Sequence, residues 1–200
     1  MSHYFFCPKL LTFWVLGGYN IGMNSERTQI ARKGVTAPMR YLEDNGWMPN
    51  GGDFVLHHGQ GKARADTDLL REFSLLTNPY DPNVPGIDDD SVLVPYEYNS
   101  IYSVYVFNTL PPIERMRAFK EMINCLCEGG SAYVAVRTDK VNGTETEDGV
   151  VTKRGTFQTQ LNRDDWLVWF STRHGIGFFS TVLTSKPGYA IIKIRRLQEL

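Results

Sequence analysis

A doubly wound α/β sheet closed by an antiparallel hairpin is the fold class that this sequence predicts, on three observations. Residues 54–66, FVLHHGQGKARAD, read as a strand, a glycine loop and a helix start; strands and helices then alternate through Val136; and two β-rich runs joined by Thr184-Ser185-Lys186-Pro187-Gly188 close the chain. Such alternation belongs to a parallel sheet covered on both faces.

Each element has its own signal. Thr36-Ala37-Pro38-Met39 opens a helix with proline in its first turn, and Gly46 stops it. Residues 54–56 form the first core strand, and over 65–76 the residues Ala65, Leu69, Leu70, Phe73 and Leu76 keep helical spacing. After Asp81 the chain is irregular and acidic through Asp88, Asp89 and Asp90, with Val92-Leu93-Val94 as a short strand. Residues 101–107, β-branched and aromatic, read as a central strand. Pro111 and Pro112 start a helix with Ile113, Met116, Phe119, Ile123 and Leu126 on one face and Gly129 past its end. Residues 133–136 are the next buried strand, and the polar stretch 142–154 is a long loop or a hairpin. Asn162 caps a helix whose core face is Trp166, Trp169 and Phe170 and which ends at Gly175; residues 178–183 and 189–194 form the closing hairpin.

The 200 residues suit one domain, and 42% hydrophobic with 22% charged residues is ordinary for a globular protein. A net charge of −1 excludes a polycation that binds nucleic acid through bulk charge. Three cysteines make no disulfide framework; Cys125 and Cys127, two apart on the expected helix, diverge and hold no metal as a pair, so a reducing cytoplasm and no metal are expected. The apolar start, residues 1–23, is an N-terminal extension. Its run 10–16 is too short to span a bilayer, and residues 1–7 carry no Lys or Arg for a secretory signal. It reads as an added strand or arm, or as a leader ahead of a second start at Met23. The single domain then occupies 24–200, with no membrane partner.

Gly59-x-Gly61 follows a strand, and Asp81 lies 20 residues beyond Gly61. Glycines there let a backbone approach a nucleotide cofactor, and the acid takes ribose hydroxyls. A nicotinamide enzyme would carry a third glycine at position 64, which is Arg64.

Four stretches, RKGVTAPMRYL at 32–42, VLHHGQGKARAD at 55–66, YVFNTLPPIERMRAF at 105–119 and DGVVTKRGTFQ at 148–158, carry a resemblance. The chain resembles class I S-adenosylmethionine-dependent methyltransferases over about residues 30–194, and within them the small methyltransferases of phage genomes and of DNA-phosphorothioation gene neighbourhoods. The resemblance implies a Rossmann-like sheet of about seven strands with the last antiparallel, and S-adenosylmethionine lying across the strand ends. It implies that Gly59 and Gly61 line the methionine and ribose, that Asp81 holds the ribose, that Asp88, Asp89 and Asp90 lie near the adenine, and that Asn108 faces the reacting methyl. The acceptor is a nitrogen or oxygen, with nucleic acid suggested by the phage and DNA-modification likeness.

The chain departs from the family at His57, where an Asp usually organises the donor's ammonium, and at Ala63, the third small residue of the loop. His57 and His58 read either as a cofactor contact or base, or as hydrogen-bonded structural histidines. Thr156 and Gln158, with Phe157 between them, offer a hydroxyl, an aromatic face and an amide to a planar acceptor; as plain structure they are a strand entry. Asn108 reads as an acceptor-orienting amide or a turn residue. Asn78-Pro79-Tyr80 is similar to a signature of amino-methylating enzymes but falls after the second core strand, and it is read as coincidence. A rival function is a binding protein that keeps the sheet without a working donor site.

Overall fold

The computed structural model describes residues 33–198, so the expected N-terminal extension and the first residues of the domain lie outside the described residues. The main sheet is built from β1 (Val55–His58), β2 (Thr77–Tyr80), β3 (Tyr98–Val104), β4 (Leu126–Arg137), β8 (Phe178–Lys186) and β9 (Tyr189–Arg196). Their order is β2-β1-β3-β4-β9-β8, with β1 to β4 parallel and β9 antiparallel to both its neighbours. A second sheet of three strands, β5 (Gly143–Thr146), β6 (Gly149–Thr152) and β7 (Phe157–Gln158), occupies the polar stretch after β4.

Among the described residues four α-helices cover the main sheet: α1 (Ala37–Asp44), α2 (Ala65–Phe73), α3 (Pro112–Cys125) and α4 (Arg163–Ser171). Side chains alternate across each strand, so Val55, Tyr102, Ala135 and Ile191 face one way, packing with Met39 and Leu42 of α1 and Leu69 and Leu70 of α2. Leu56, Ile101, Val134 and Ile192 face the other way, against Phe119 and Met122 of α3 and Trp166 and Phe170 of α4. The aromatic stripe expected on α4 is core: Trp166 and Phe170 are fully buried and Trp169 nearly so. Caps follow the sequence, since Asn162 Oδ1 accepts from the amides of Asp164 and Asp165 at 2.8 and 3.0 Å, and Thr36 Oγ1 accepts from that of Met39 at 3.4 Å.

Several expectations are corrected. Among the described residues the main sheet has six strands, and residues 90–92 form a 3₁₀ turn, Asp90–Val92, where a short strand is expected over 92–94. Asp89 caps that turn and Tyr98 donates its hydroxyl to the Val92 carbonyl, so the segment folds back on itself. The central strand ends at Val104, and Phe107 belongs to a 3₁₀ turn, Phe107–Thr109. Helix α3 stops at Cys125 and the chain enters β4 at once, placing Cys127 and Gly129 on the strand. Phe119, Met122 and Cys125 make the buried face of α3, and Ile113 is 72% exposed. Helix α2 ends at Phe73, which stands partly exposed with Leu76. Asn78-Pro79-Tyr80 lies within β2 itself. Among the described residues no helix is long and apolar enough to cross a membrane, and no group of three or more His, Cys, Asp or Glu is placed to hold a metal.

Candidate functional site

Sheet order fixes where a site can form. The helix after β1 packs on one face and the helix after β3 on the other, so their loops diverge and a crevice opens at the strand ends. A cleft of about 180 Å³ lies there, lined among others by His57, Gly59, Gly61, Asp81, Asn108 and Gln158.

The glycine loop is shaped by two different requirements. Gly59 takes φ +72°, and a Cβ on it would lie 2.2 Å from Val106 Cγ2, so the backbone of β1 passes directly beneath the turn after β3. Gly61 takes φ +67°, but a Cβ there would meet nothing within 4 Å. The amides of Gly59 and Gln60 both donate to the carbonyl of Tyr80, at 2.7 and 3.1 Å, and the Gly61 amide donates to Asp81 Oδ2 at 2.8 Å. Asp81 Oδ1 accepts from the Asn83 amide at 2.9 Å, so this carboxylate is anchored on both oxygens at the end of β2 and still faces the cleft.

Both histidines are buried and line the cleft. Burial, followed by the neighbouring charge of His58, lowers the pKa of His57 to about 3; burial lowers that of His58 to about 4. Both imidazoles are therefore neutral near pH 7. Thr67 donates its single hydroxyl proton to Gln60 Oε1, so the 2.7 Å contact between Thr67 Oγ1 and His57 Nδ1 has the ring as donor. The network assigns the proton to Nδ1 and leaves Nε2 as an acceptor. His58 instead stacks on Phe107, with ring centroids 6.2 Å apart, and lies beside Tyr80.

Across the cleft, Asn108 follows β3 and is almost wholly buried. Its Nδ2 donates to Gln158 Oε1 at 3.0 Å, its carbonyl accepts from the Thr159 amide at 2.7 Å, and its Oδ1 accepts weakly from the Arg137 amide at 3.5 Å. Asn108 thus joins β3, β4 and β7. Thr156 is not brought to the cleft: its hydroxyl bonds Thr152 Oγ1 at 2.7 Å across the turn that carries the exposed Lys153 and Arg154.

Asp88, Asp89 and Asp90 do not line the cleft either. They accept from the Gly86 amide, the Ser91 amide and the Tyr80 hydroxyl, respectively, and so hold their own loop. Sequence reasoning missed the cleft residues Gln60, Tyr105, Glu121 and Arg137. Glu121 carried a usable signal, a carboxylate next to Met122 on the inward side of α3; burial, with Asp90 also adding to it, raises its pKa. Tyr105, at φ +63°, had none, because a tyrosine in the left-handed region contradicts local preference.

The fold matches known structures. A 1,6-didemethyltoxoflavin N1-methyltransferase from Burkholderia thailandensis, solved with its substrate and S-adenosylhomocysteine, superposes with a TM-score of 0.58 at 11% identity, covering 88% of this chain and 80% of that one. The DhpI–SAH complex gives 0.54 at 13% identity over 80% and 88%. An S-adenosylmethionine-dependent methyltransferase from Mesorhizobium loti gives 0.53 at 12% identity over 79% and 98%. The fold is that of the class I S-adenosylmethionine-dependent methyltransferases. No family model and no curated protein matches the sequence.

Proposed function

We propose that this protein transfers a methyl group from S-adenosylmethionine to a nitrogen or oxygen acceptor. The observation that carries the reading is Asp81, fixed by the Gly61 amide at the end of β2 and facing a cleft at the switch point of a methyltransferase fold. Bound S-adenosylmethionine would supply a methyl group already activated by its sulfonium. The protein's task is then to bind, align and exclude water.

The residues present fit that donor. Asp81 takes the ribose hydroxyls, and the backbone at Gly59 and Gly61 lets the ribose and methionine portions approach closely. His57 stands where an aspartate is usual, yet its neutral ring offers Nε2 as an acceptor to an ammonium N–H. Glu121, beside Tyr80 and Asp90, takes the adenine amino group, a role that the acidic run at 88–90 does not fill. Asn108 and Gln158 form the acceptor wall. Their mutual bond uses Gln158 Oε1 and turns the Gln158 amide N–H₂ outward as a donor.

Thermal unfolding with S-adenosylhomocysteine tests the donor site. A ligand at about 100 times its dissociation constant adds roughly 2.7 kcal/mol, and Asp81→Asn, which keeps an oxygen for the Gly61 amide, is expected to abolish most of the shift. No shift at millimolar ligand favours the rival reading, a binding protein on the same sheet. Where the donor binds, transfer of a labelled methyl to DNA, RNA or small amines identifies the acceptor class, nucleic acid included.

A further inference from the structure

A second cleft, of about 590 Å³, lies on the far side of β7: Gln158 lines the first cleft and Thr159 the second. Its wall holds Arg115, only 6% exposed, and the exposed Arg173. Both guanidiniums lie against the ring of Trp169, 5.2 and 4.9 Å from its centroid, and that of Arg115 also lies 5.6 Å from Trp166. Arg115 Nη1 donates to Thr159 Oγ1 at 2.6 Å, but its Nε has no hydrogen-bond partner among the described residues. Neither arginine forms an ion pair with a described carboxylate. Burial first, and then the charge of Arg173, lower the pKa of Arg115 to about 10, while Asp148 across the cleft offsets part of that effect.

An anion in this cleft adds to the counter-charge of Asp148 and supplies an acceptor for Nε. The rest of the lining narrows its chemistry. Glu145, Glu147 and Asp148, on the exposed hairpin of β5 and β6, border the same cleft and repel a dianion such as phosphate. A carboxylate that carries its own ammonium meets both sets of charges. Met116, Val150 and Leu161 complete the lining with apolar surface.

We propose that this second cleft binds a zwitterionic α-amino acid with an apolar side chain, its carboxylate on Arg115 and Arg173 and its ammonium toward the acidic hairpin. The site is separate from the donor cleft and does not rest on the methyl-transfer reading. Trp166 and Trp169 provide a fluorescence signal, with calorimetry as a second readout on the full chain. L-leucine is expected to bind saturably, N-acetylleucine at least tenfold more weakly, and leucinamide not at all. Arg173→Gln also removes bonds to the Trp169 carbonyl and Thr172 Oγ1 at the end of α4, so it is read in protein that circular dichroism shows to be folded; it is expected to weaken leucine at least tenfold with S-adenosylhomocysteine affinity unchanged. Glu147→Gln is expected to narrow the gap between leucine and N-acetylleucine. Leucinamide binding as well as leucine, inorganic phosphate binding more tightly than leucine, or no binding by any probe to folded protein overturns the proposal.

Discussion

A Cβ placed on Gly59 would lie 2.2 Å from Cγ2 of Val106, which means that the loop after β1 and the turn after β3 are in contact through a position with no room for a side chain. Gly59→Ala must therefore both strain a left-handed backbone and push Val106 away from the cleft. The expected cost is about 2–5 kcal/mol, from backbone strain of about 1–2 and overpacking of about 1–3. Gly61→Ala has the same backbone problem and open space around it, so its cost is expected at about 1–2 kcal/mol. Urea unfolding of the two variants checks the order; equal losses would show that the contact with Val106 is not the tight one.

The buried histidines set a pH limit on stability. In the unfolded chain they titrate near 6.5, and in the fold at about 3 and about 4. Below 6.5 the unfolded state takes up protons that the native state refuses, so their contribution is complete above that pH and is lost as pH falls toward the folded values. At about 1.4 kcal/mol per unit for each ring, the two together cost about 4 kcal/mol between pH 6.5 and 5. Urea midpoints across that window measure it, and His57→Gln with His58→Gln should flatten the profile. A flat wild-type profile would mean that the rings are solvated.

The proton assigned to His57 Nδ1 depends on Thr67. Thr67→Val leaves that N–H without its acceptor, at an expected cost of about 1–3 kcal/mol, and frees the ring to present a donor toward the ligand. Affinity for S-adenosylhomocysteine is expected to drop about tenfold, while Thr67→Ser retains it. His57→Asp places a charge near the ammonium and should bind the ligand more tightly than wild type. Tightening by Thr67→Val would contradict the tautomer.

On the proposed methyl-transfer reading, Asn108 is the residue expected to separate binding from turnover. Asn108→Ala removes the bond to Gln158 and loosens the acceptor wall without touching Asp81. The expected result is a turnover lower by about 10²-fold, the scale at which misplaced groups act, with donor affinity within about twofold by calorimetry. A loss of donor affinity equal to the loss of turnover would place Asn108 at the donor instead.

Much of the sheet could be read from the sequence because β1, β3 and β4 are buried on both faces and their composition says so. That Gly59, Gly61 and Asp81 meet at one cleft could be read for a related reason, since a glycine loop after a strand and an acid at a fixed distance beyond it are residue types at a definite spacing. Thr156 precedes β7 and is held in the turn by Thr152 Oγ1, so it does not reach the cleft that Gln158, two residues on, lines; no periodic signal marks that turn in the sequence. Asp88, Asp89 and Asp90 misled because short acidic side chains serve turns and ligands equally well, and here turns use them. The proton on His57 was out of reach, since it depends on Thr67 and Gln60, residues whose hydroxyl and amide gave no periodic signal.

The proline of β2 has a consequence for the molecule among its neighbours. Among the described residues β2 is the outermost strand on its side, and the Tyr80 carbonyl points inward to Gly59, so adjacent Pro79 presents its backbone away from β1. A proline nitrogen has no proton to share. A foreign strand arriving at that margin meets a missing rung, and the ladder cannot be extended there from another molecule. Asn78-Pro79-Tyr80, whose likeness to a methylating signature is read from the sequence as coincidence, thus places a proline on the outer edge of β2.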